Sequence, residues 1–317
     1  MAYINDNKNT PVLVFAYSRP KHLKKVLHAL QQDPLAVHTP LYIYCDAPKN
    51  KLVKNDCDEV LQIAYSTSGF YETHVIERPY NFGLAKSIIS GVTEILEEYD
   101  RVIVLEDDLV VSPFFLKYMN DALTLYENSE SVAAIHGYMY PIRHTVPETF
   151  FLKGADCWGW ATWKRAWKFF NPDGASLLNE LYEKKLTNEF DLYGAYPYVK
   201  MLKNQVLGHN QSWAIRWQAS VFIRGMVTLY PARSLVQNIG HDNTGIHSNY
   251  SDDFDVDLTK TEIKLKKQPI LESAQGLLAI SDYYRKTRWF PKRLFRYARS
   301  AFHKLSQFLI TKIKQRK

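Results

Sequence analysis

Between Arg101 and Pro113 the chain reads RVIVLEDDLVVSP, with three consecutive carboxylates, Glu106, Asp107 and Asp108, set between two apolar runs. Val102 to Leu105 is a short, mostly β-branched run of the kind that forms a strand buried on both faces of a parallel sheet. The acids then fall at the end of a central strand and not on a solvated face. Carboxylates packed beside a core repel one another and lose hydration, so they persist where a cation or a hydrogen-bonding ligand compensates them. Open α/β sheets bind their ligands at the carboxyl ends of strands. Oxygen donors in that position suit Mg²⁺ or Mn²⁺ and, through the cation, a nucleotide diphosphate. A strand-end turn with helix-capping acids is the plainer alternative, and the cost of burying unpaired acids weighs against it.

Two further stretches carry residue types that do chemistry. Gln237 to Ser248, QNIGHDNTGIHS, is dense in Gly and Asn and holds His241, Asp242 and His247. Glycines beside such side chains suit a loop that closes over a bound nucleotide. His241 or His247 then adds a nitrogen ligand to the carboxylate site or donates to a phosphate; a plain polar surface loop is the competing account. The stretch from Asp156 to Trp167, DCWGWATWKRAW, concentrates Trp158, Trp160, Trp163 and Trp167, and Trp213 and Trp217 follow. Clustered tryptophans serve either as a platform on which a sugar stacks or as core, since large aromatics dominate core energetics.

These groups need a scaffold. Pro11 to Tyr17, PVLVFAY, has a buried-strand pattern, and after Ser18-Arg19-Pro20 the spacing of Leu23, Val26, Leu27 and Leu30 predicts a helix over Lys21 to Leu30. Leu41 to Tyr44 is the next strand, which puts Asp46 at a second strand tip. A helix from about Asp56 to Ser66, a strand around Thr73 to Ile76, and the loop Asn81-Phe82-Gly83 leading into a helix that ends near Tyr99 precede the acid-tipped strand. Strands alternating with helices, with acids at their carboxyl tips, indicate a doubly wound nucleotide-binding half. Gly83 to Ser87 is not a P-loop, because Ala85 stands where Walker A needs a Gly before the Lys. Beyond Pro113, a helix from Phe114 to Tyr126, a strand from Val132 to His136 and a loop from Tyr138 to Pro147 are expected.

Composition sets the bounds. A chain of 317 residues that is 46% hydrophobic buries a substantial core. The three cysteines, Cys45, Cys57 and Cys157, form no metal-binding spacing, and a reducing compartment is the default. The N-terminal residues lack an apolar signal-peptide core. The net charge of +7 is concentrated at one end: 12 of the 40 Lys and Arg residues lie from Tyr284 onward with no acid among them, leaving 28 against 33 acids in the body. An acidic body does not suit nucleic acid, whose phosphates need a basic surface. From Trp289, Leu294, Ala298, Phe302, Leu305 and Leu309 recur at helical spacing among Arg296, Arg299, Lys304 and Lys312, the pattern of a basic amphipathic helix that lies on an anionic membrane.

PVLVFAYSRP, the strand-end pair Cys45-Asp46, NFGLAKSI and VIVLEDDLVVSPFFLKY together resemble inverting glycosyltransferases of the GT-A fold. The closest likeness is to the eukaryotic N-acetylglucosaminyltransferase I type, whose EDD motif is also followed by a hydrophobic residue and a PxFFxY helix. DCWGWATWKRAW, SWAIRW and IGHDNTGIH look like segments of bacterial sugar transferases from polysaccharide gene clusters, and the likeness spans about Pro11 to His247. The resemblance implies an α/β, Rossmann-like nucleotide-diphospho-sugar transferase fold with a mixed, mostly parallel sheet over residues 1–280. Residues 1–112 form its nucleotide-binding half and 113–280 its acceptor half, and a basic amphipathic tail occupies 281–317.

Carried over by motif, Asp108 is the direct metal ligand, to which the loop reading adds His241, while Glu106 and Asp107 hold the ribose, the metal's water shell or the sugar. Arg19 and Asp46 line a uracil pocket and Lys86 lies near the nucleotide. The family's base, an Asp just before a Trp, has no counterpart in Gln211-Ser212-Trp213, and Asp156 and His209 are the substitutes. The expected activity is Mn²⁺- or Mg²⁺-dependent, inverting transfer of a hexose or N-acetylhexosamine from a UDP-sugar to a carbohydrate or lipid-linked glycan acceptor. Its setting would be bacterial surface polysaccharide assembly on the cytosolic face of the membrane, with no nucleic-acid partner. The rival readings are a sugar-nucleotide nucleotidyltransferase, which needs a Gly-rich basic loop where Ser18-Arg19-Pro20 stands, and a non-catalytic glycan-binding protein, which the missing base would suit.

Overall fold

β1 (Val12–Ala16) is buried along its whole length, and its side chains alternate between two cores. Val12, Val14 and Ala16 face one side and Leu13 and Phe15 the other, so the strand is apolar at every position because both faces of the sheet are covered. The computed structural model describes residues 9–242 and 251–288. α1 (Pro20–Gln31) opens on Pro20, whose fixed φ suits the first helical position, and buries Leu23, Val26, Leu27 and Leu30 on one stripe. β2 (Pro40–Cys45), α2 (Lys54–Tyr65), β3 (Glu72–Glu77), α3 (Leu84–Glu98) and β4 (Arg101–Glu106) complete the alternation expected from the sequence, with ends moved by one or two residues.

β5 (Leu109–Val111) follows the acids directly, and α4 (Phe115–Leu125) and β6 (Val132–His136) come next. The remaining elements are β7 (Thr149–Lys153), β8 (Trp160–Trp163), α5 (Lys164–Trp167), α6 (Gly174–Glu183), α7 (Thr187–Phe190), α8 (Tyr198–Val206), α9 (Trp213–Phe222), β9 (Val227–Pro231), β10 (Val236–Asn238) and α10 (Ala274–Arg288).

Eight strands form one sheet in the order β3-β2-β1-β4-β8-β6-β9-β7, and β5 and β10 form a separate two-stranded ribbon. β3, β2, β1 and β4 are mutually parallel, β8 runs against both β4 and β6, β9 is parallel to β6, and β7 is antiparallel to β9. The mixed, mostly parallel α/β sheet expected from the sequence is the one present. Because β8 alone separates β4 from β6 and runs the opposite way, the residues that lead into β8 stand beside the carboxyl ends of both neighbours. That geometry brings Asp156 and Cys157 toward Glu106 and toward His136.

Three apolar clusters hold the layers. One unites α1, α2, α4 and α10 against one face of the sheet, and a second unites α3, α5 and α9 against the other. The third is made by α6, α7, α8 and one side of α9.

The boundary placed at residue 280 needs correction: it falls inside α10, whose Tyr283 and Tyr284 are buried in the main core, so the folded body runs through at least Tyr284. Of the two readings open for the tryptophans, core is the one the structure shows for most: Trp160, Trp163, Trp167, Trp213 and Trp217 are all buried, and Trp160 stacks on Trp213. Residues 289–317, which carry most of the expected basic tail, and His247 lie outside the described residues. Among the described residues no helix is long and apolar enough to cross a membrane.

Candidate active site

Asp107 and Asp108 form the turn between β4 and β5, and Glu106 closes β4. The Asp107 N–H donates to the Phe15 carbonyl at 3.0 Å, which locks this turn to the tip of β1. Across from it, Arg19 is the residue before α1, held there by Pro20 at the helix start. Its guanidinium pairs with Asp107 Oδ1 and, through Nη1 at 3.0 Å, with Asp108 Oδ2. Asp107 is 2% exposed, so the pair lies in a poorly hydrated place. Burial alone would lower the Arg19 pKa, but the charges of Asp107 and Asp108 outweigh it and hold the guanidinium above its ordinary value.

Three acids face one guanidinium, and the surplus shows in their titration. Burial, followed by the charge of Asp108, pushes the Glu106 carboxyl well above the usual range, and Arg19 only partly offsets this. Asp107 is also raised by burial, although Arg19 pulls against the shift.

The Gly-rich stretch that reads as a polar loop is pinned to these acids. Val236, Gln237 and Asn238 pair antiparallel with Val111, Val110 and Leu109, and the Ile239 N–H donates to the Asp108 carbonyl at 2.8 Å. Gly240 packs so closely that an added Cβ would stand 2.1 Å from Asp108 Oδ2. Only glycine fits there, a requirement that the sequence shows as a Gly between Ile239 and His241. The His241 ring lies against Phe254 and Trp158 with centroids 5.2 and 5.6 Å away. Its Nε2 is buried and has no hydrogen-bond partner among the described residues. Burial lowers the His241 pKa, with Asp108 the largest opposing charge, so the ring is a neutral nitrogen donor beside Asp108.

Asp46 is held by the loop that follows β3. Its carboxylate accepts from the N–H groups of Ala47, Phe82 and Gly83 and from Asn81 Nδ2, at 2.7–3.1 Å. With both oxygens so occupied, Asp46 builds the Asn81–Gly83 loop. Gly83 takes φ of +70° at the start of α3, a conformation glycine adopts without strain. Lys86, one turn into α3, donates to the Tyr80 hydroxyl at 2.8 Å and lies over the rings of Tyr80 and Phe82. Arg78, which no sequence motif singles out, also lies over the ring of Phe82 and over Tyr44.

The two substitutes for the base are far apart in character. His209 is exposed in the turn after α8, where its N–H donates to the Asn204 carbonyl, and its ring makes no hydrogen bond or ion pair among the described residues. Asp156 stands in the segment leading into β8, and the Tyr140 hydroxyl donates to its Oδ2 at 2.5 Å. Burial raises the neighbouring Cys157 thiol, and the charges of Asp156, Glu106 and Asp108 raise it further. Arg19, Asp107, Asp108 and His241 thus meet at the sheet's carboxyl end with Asp156 close by, and His209 does not join them.

The GNT-I family model matches residues 3–172, more than half of the chain. The chain belongs to the GNT-I family, and with it to the glycosyltransferases of GT-A type as a class. The match takes in Arg19, Asp46, Lys86, the acid triplet and Asp156, and it ends before His209 and His241. An alpha-1,3-mannosyl-glycoprotein 2-beta-N-acetylglucosaminyltransferase of Arabidopsis thaliana is 28% identical over 131 residues, which are 39% of this chain and 29% of that protein. The chain therefore spans less than a third of the length of this relative. Two crystal structures of S. aureus TarS are also similar. One has a TM-score of 0.31 and 15% identity over 46% of this chain and 24% of its own. The other, of TarS 1–349, has a TM-score of 0.33 and 11% identity over 56% of this chain and 49% of its own.

Proposed function

We propose that the chain transfers a sugar, with inversion, from a UDP-sugar to a carbohydrate acceptor, using a divalent cation held at Asp108. The observation that carries this reading is the acid triplet at the sheet's carboxyl end, offset among the described residues by Arg19.

The residues present fit a cation of this kind. The site has surplus negative charge, hard carboxylate oxygens and an unpartnered His241 nitrogen next to Asp108. Among the described residues no three His, Cys, Asp or Glu side chains are grouped to hold a metal. A cation there would have Asp108 and His241 as its protein ligands and complete its shell from water and phosphate oxygens, the usual habit of Mg²⁺ and Mn²⁺ at nucleotide sites. When bound, it neutralises the charge of the leaving diphosphate.

The remaining roles fall to the chain's own side chains. Arg19 orients Asp107 and Asp108 and presents positive charge toward the nucleotide. Asp46 shapes the nucleotide pocket through the Asn81–Gly83 loop, and Lys86 stands at that pocket's rim. Asp156 takes the proton of the attacking hydroxyl. His209 could assume that role only if the turn after α8 moved, so Asp156 is preferred.

The basic pattern from Tyr284 onward supports placing the enzyme at the cytosolic face of a membrane, in assembly of a surface polysaccharide on a lipid-linked acceptor. Incubating the protein with UDP-sugars and Mn²⁺ tests the reaction. Transfer, or release of UDP, supports it; pyrophosphate-dependent turnover would instead indicate a nucleotidyltransferase. Sugar binding with no turnover of any donor would indicate a glycan-binding protein.

A further inference from the structure

His136, at the end of β6, is wholly buried, and neither ring nitrogen has a hydrogen-bond partner among the described residues. Leaving two buried polar atoms unpaired is costly, and a native protein rarely keeps such a residue without a task. The nearest carboxylate is that of Asp156, whose Oδ2 lies 3.7 Å from His136 Nε2. The same oxygen accepts from Tyr140, and the Tyr284 hydroxyl in turn donates to Tyr140 at 2.8 Å. The other oxygen accepts from the Cys157 N–H at 2.8 Å. Asp156 nonetheless keeps 20% of its side chain exposed, so solvent or an acceptor reaches it while its inner edge is held by protein.

We propose that His136 and Tyr140 are positioning residues for Asp156, fixing its carboxylate from inside the core so that it can take the acceptor's proton. The inference rests on the transferase reading above and deepens it. In the step it supports, the acceptor oxygen bonds to the donor's anomeric carbon as its O–H bond breaks, and the proton passes to Asp156. The bond from the anomeric carbon to the diphosphate breaks at the same time, its electron pair leaving with UDP, and Asp156 later returns the proton to water. A base in this role gains from being held still, because small misplacements of a reacting group are costly in rate.

The groups that face this pair are mostly hydroxyls. Tyr138 and Tyr230 lie against the His136 ring, Tyr140 touches Asp156, and the charge of Asp156 also reaches Tyr198, Tyr284 and Cys157. The charge of Asp255 also reaches Tyr138, and Glu106 and Asp108 act with Asp156 on Cys157. The carboxylate itself accepts from the Tyr140 hydroxyl and the Cys157 N–H.

The test uses the full chain, UDP-N-acetylglucosamine and Mn²⁺, with UDP release to water as the readout and UDP binding measured in parallel. Asp156→Asn is expected to lower kcat by about a hundredfold or more. His136→Gln is expected to lower it by about tenfold with donor KM unchanged. Tyr140→Phe, close in shape and expected to fold, should lower kcat by about tenfold with donor KM and UDP binding unchanged. An active wild-type protein whose Asp156→Asn variant keeps full kcat overturns the proposal alone. So does an unchanged kcat in both Tyr140→Phe and His136→Gln. A wild-type protein that neither binds UDP nor releases it from the donor overturns the transferase reading and this inference with it.

Discussion

The triplet Glu106-Asp107-Asp108 and the lone Asp156 occupy the same end of the same sheet, one following β4 and the other preceding its antiparallel neighbour β8. The triplet is compensated by charge, through Arg19. Asp156 is compensated by a hydroxyl, through Tyr140, with an uncharged histidine behind it. A charge-compensated cluster with acids to spare is suited to taking up a cation. A carboxylate held by uncharged donors and still partly open to solvent is suited to orienting an acceptor hydroxyl. Two regions built from the same residue type are thereby set to different chemistry by what faces them.

Removing Arg19 should separate the two regions most sharply. Arg19→Ala leaves Asp107 and Asp108 as buried, uncompensated charges and is expected to destabilise the cation-free protein by about 3–5 kcal/mol. Urea unfolding with and without Mn²⁺ checks this: the cation should restore part of the loss, and a loss indifferent to Mn²⁺ would deny that a cation replaces Arg19's charge. Asp46→Ala comes next at about 2–3 kcal/mol, because the N–H groups of Phe82 and Gly83 lose their acceptor. Hydrogen exchange at Phe82 and Gly83 should rise in that variant, and unchanged protection there would show that the loop holds itself.

Tyr140→Phe should cost only about 1–2 kcal/mol, since it removes a neutral donor and strands the Tyr284 hydroxyl. If its urea midpoint fell as far as that of Arg19→Ala, the contrast between charge and hydroxyl support would fail. The smallest effect concerns His136, whose pKa is lowered by burial. Its folded pKa lies below the unfolded value of about 6.5, so its contribution to stability is intact above that pH and is lost as pH falls toward the folded pKa. His136→Gln should flatten the decline in urea midpoint between about pH 6.5 and pH 5, and an unaltered slope would show that other groups set it.

Much of the first region was legible in the sequence because its residues are local. The apolar runs at Val12–Ala16 and residues 102–105 are buried on both faces, and a strand covered on both sides must be apolar at every position. The acids at the tip are contiguous, so their crowding needed no tertiary information. The second region was less legible. His136 and Asp156 are twenty positions apart, and only the antiparallel insertion of β8 between β4 and β6 brings them together. The tryptophans of the DCWGWATW segment carry the same residue type whether they fill a core or face a ligand, and burial alone decides. β10 was hidden because Gln237 and Asn238 read as turn formers, while their pairing with β5 is fixed by backbone hydrogen bonds that side-chain pattern does not report.

The central claim is that the acid triplet grips a cation that binds a diphosphate. Calorimetric titration of UDP into the wild-type protein and Asp108→Ala, each with and without Mn²⁺, tests it most directly. Binding in the wild type that depends on Mn²⁺ and vanishes in Asp108→Ala is the predicted result. Equal UDP affinity in all four titrations would contradict it.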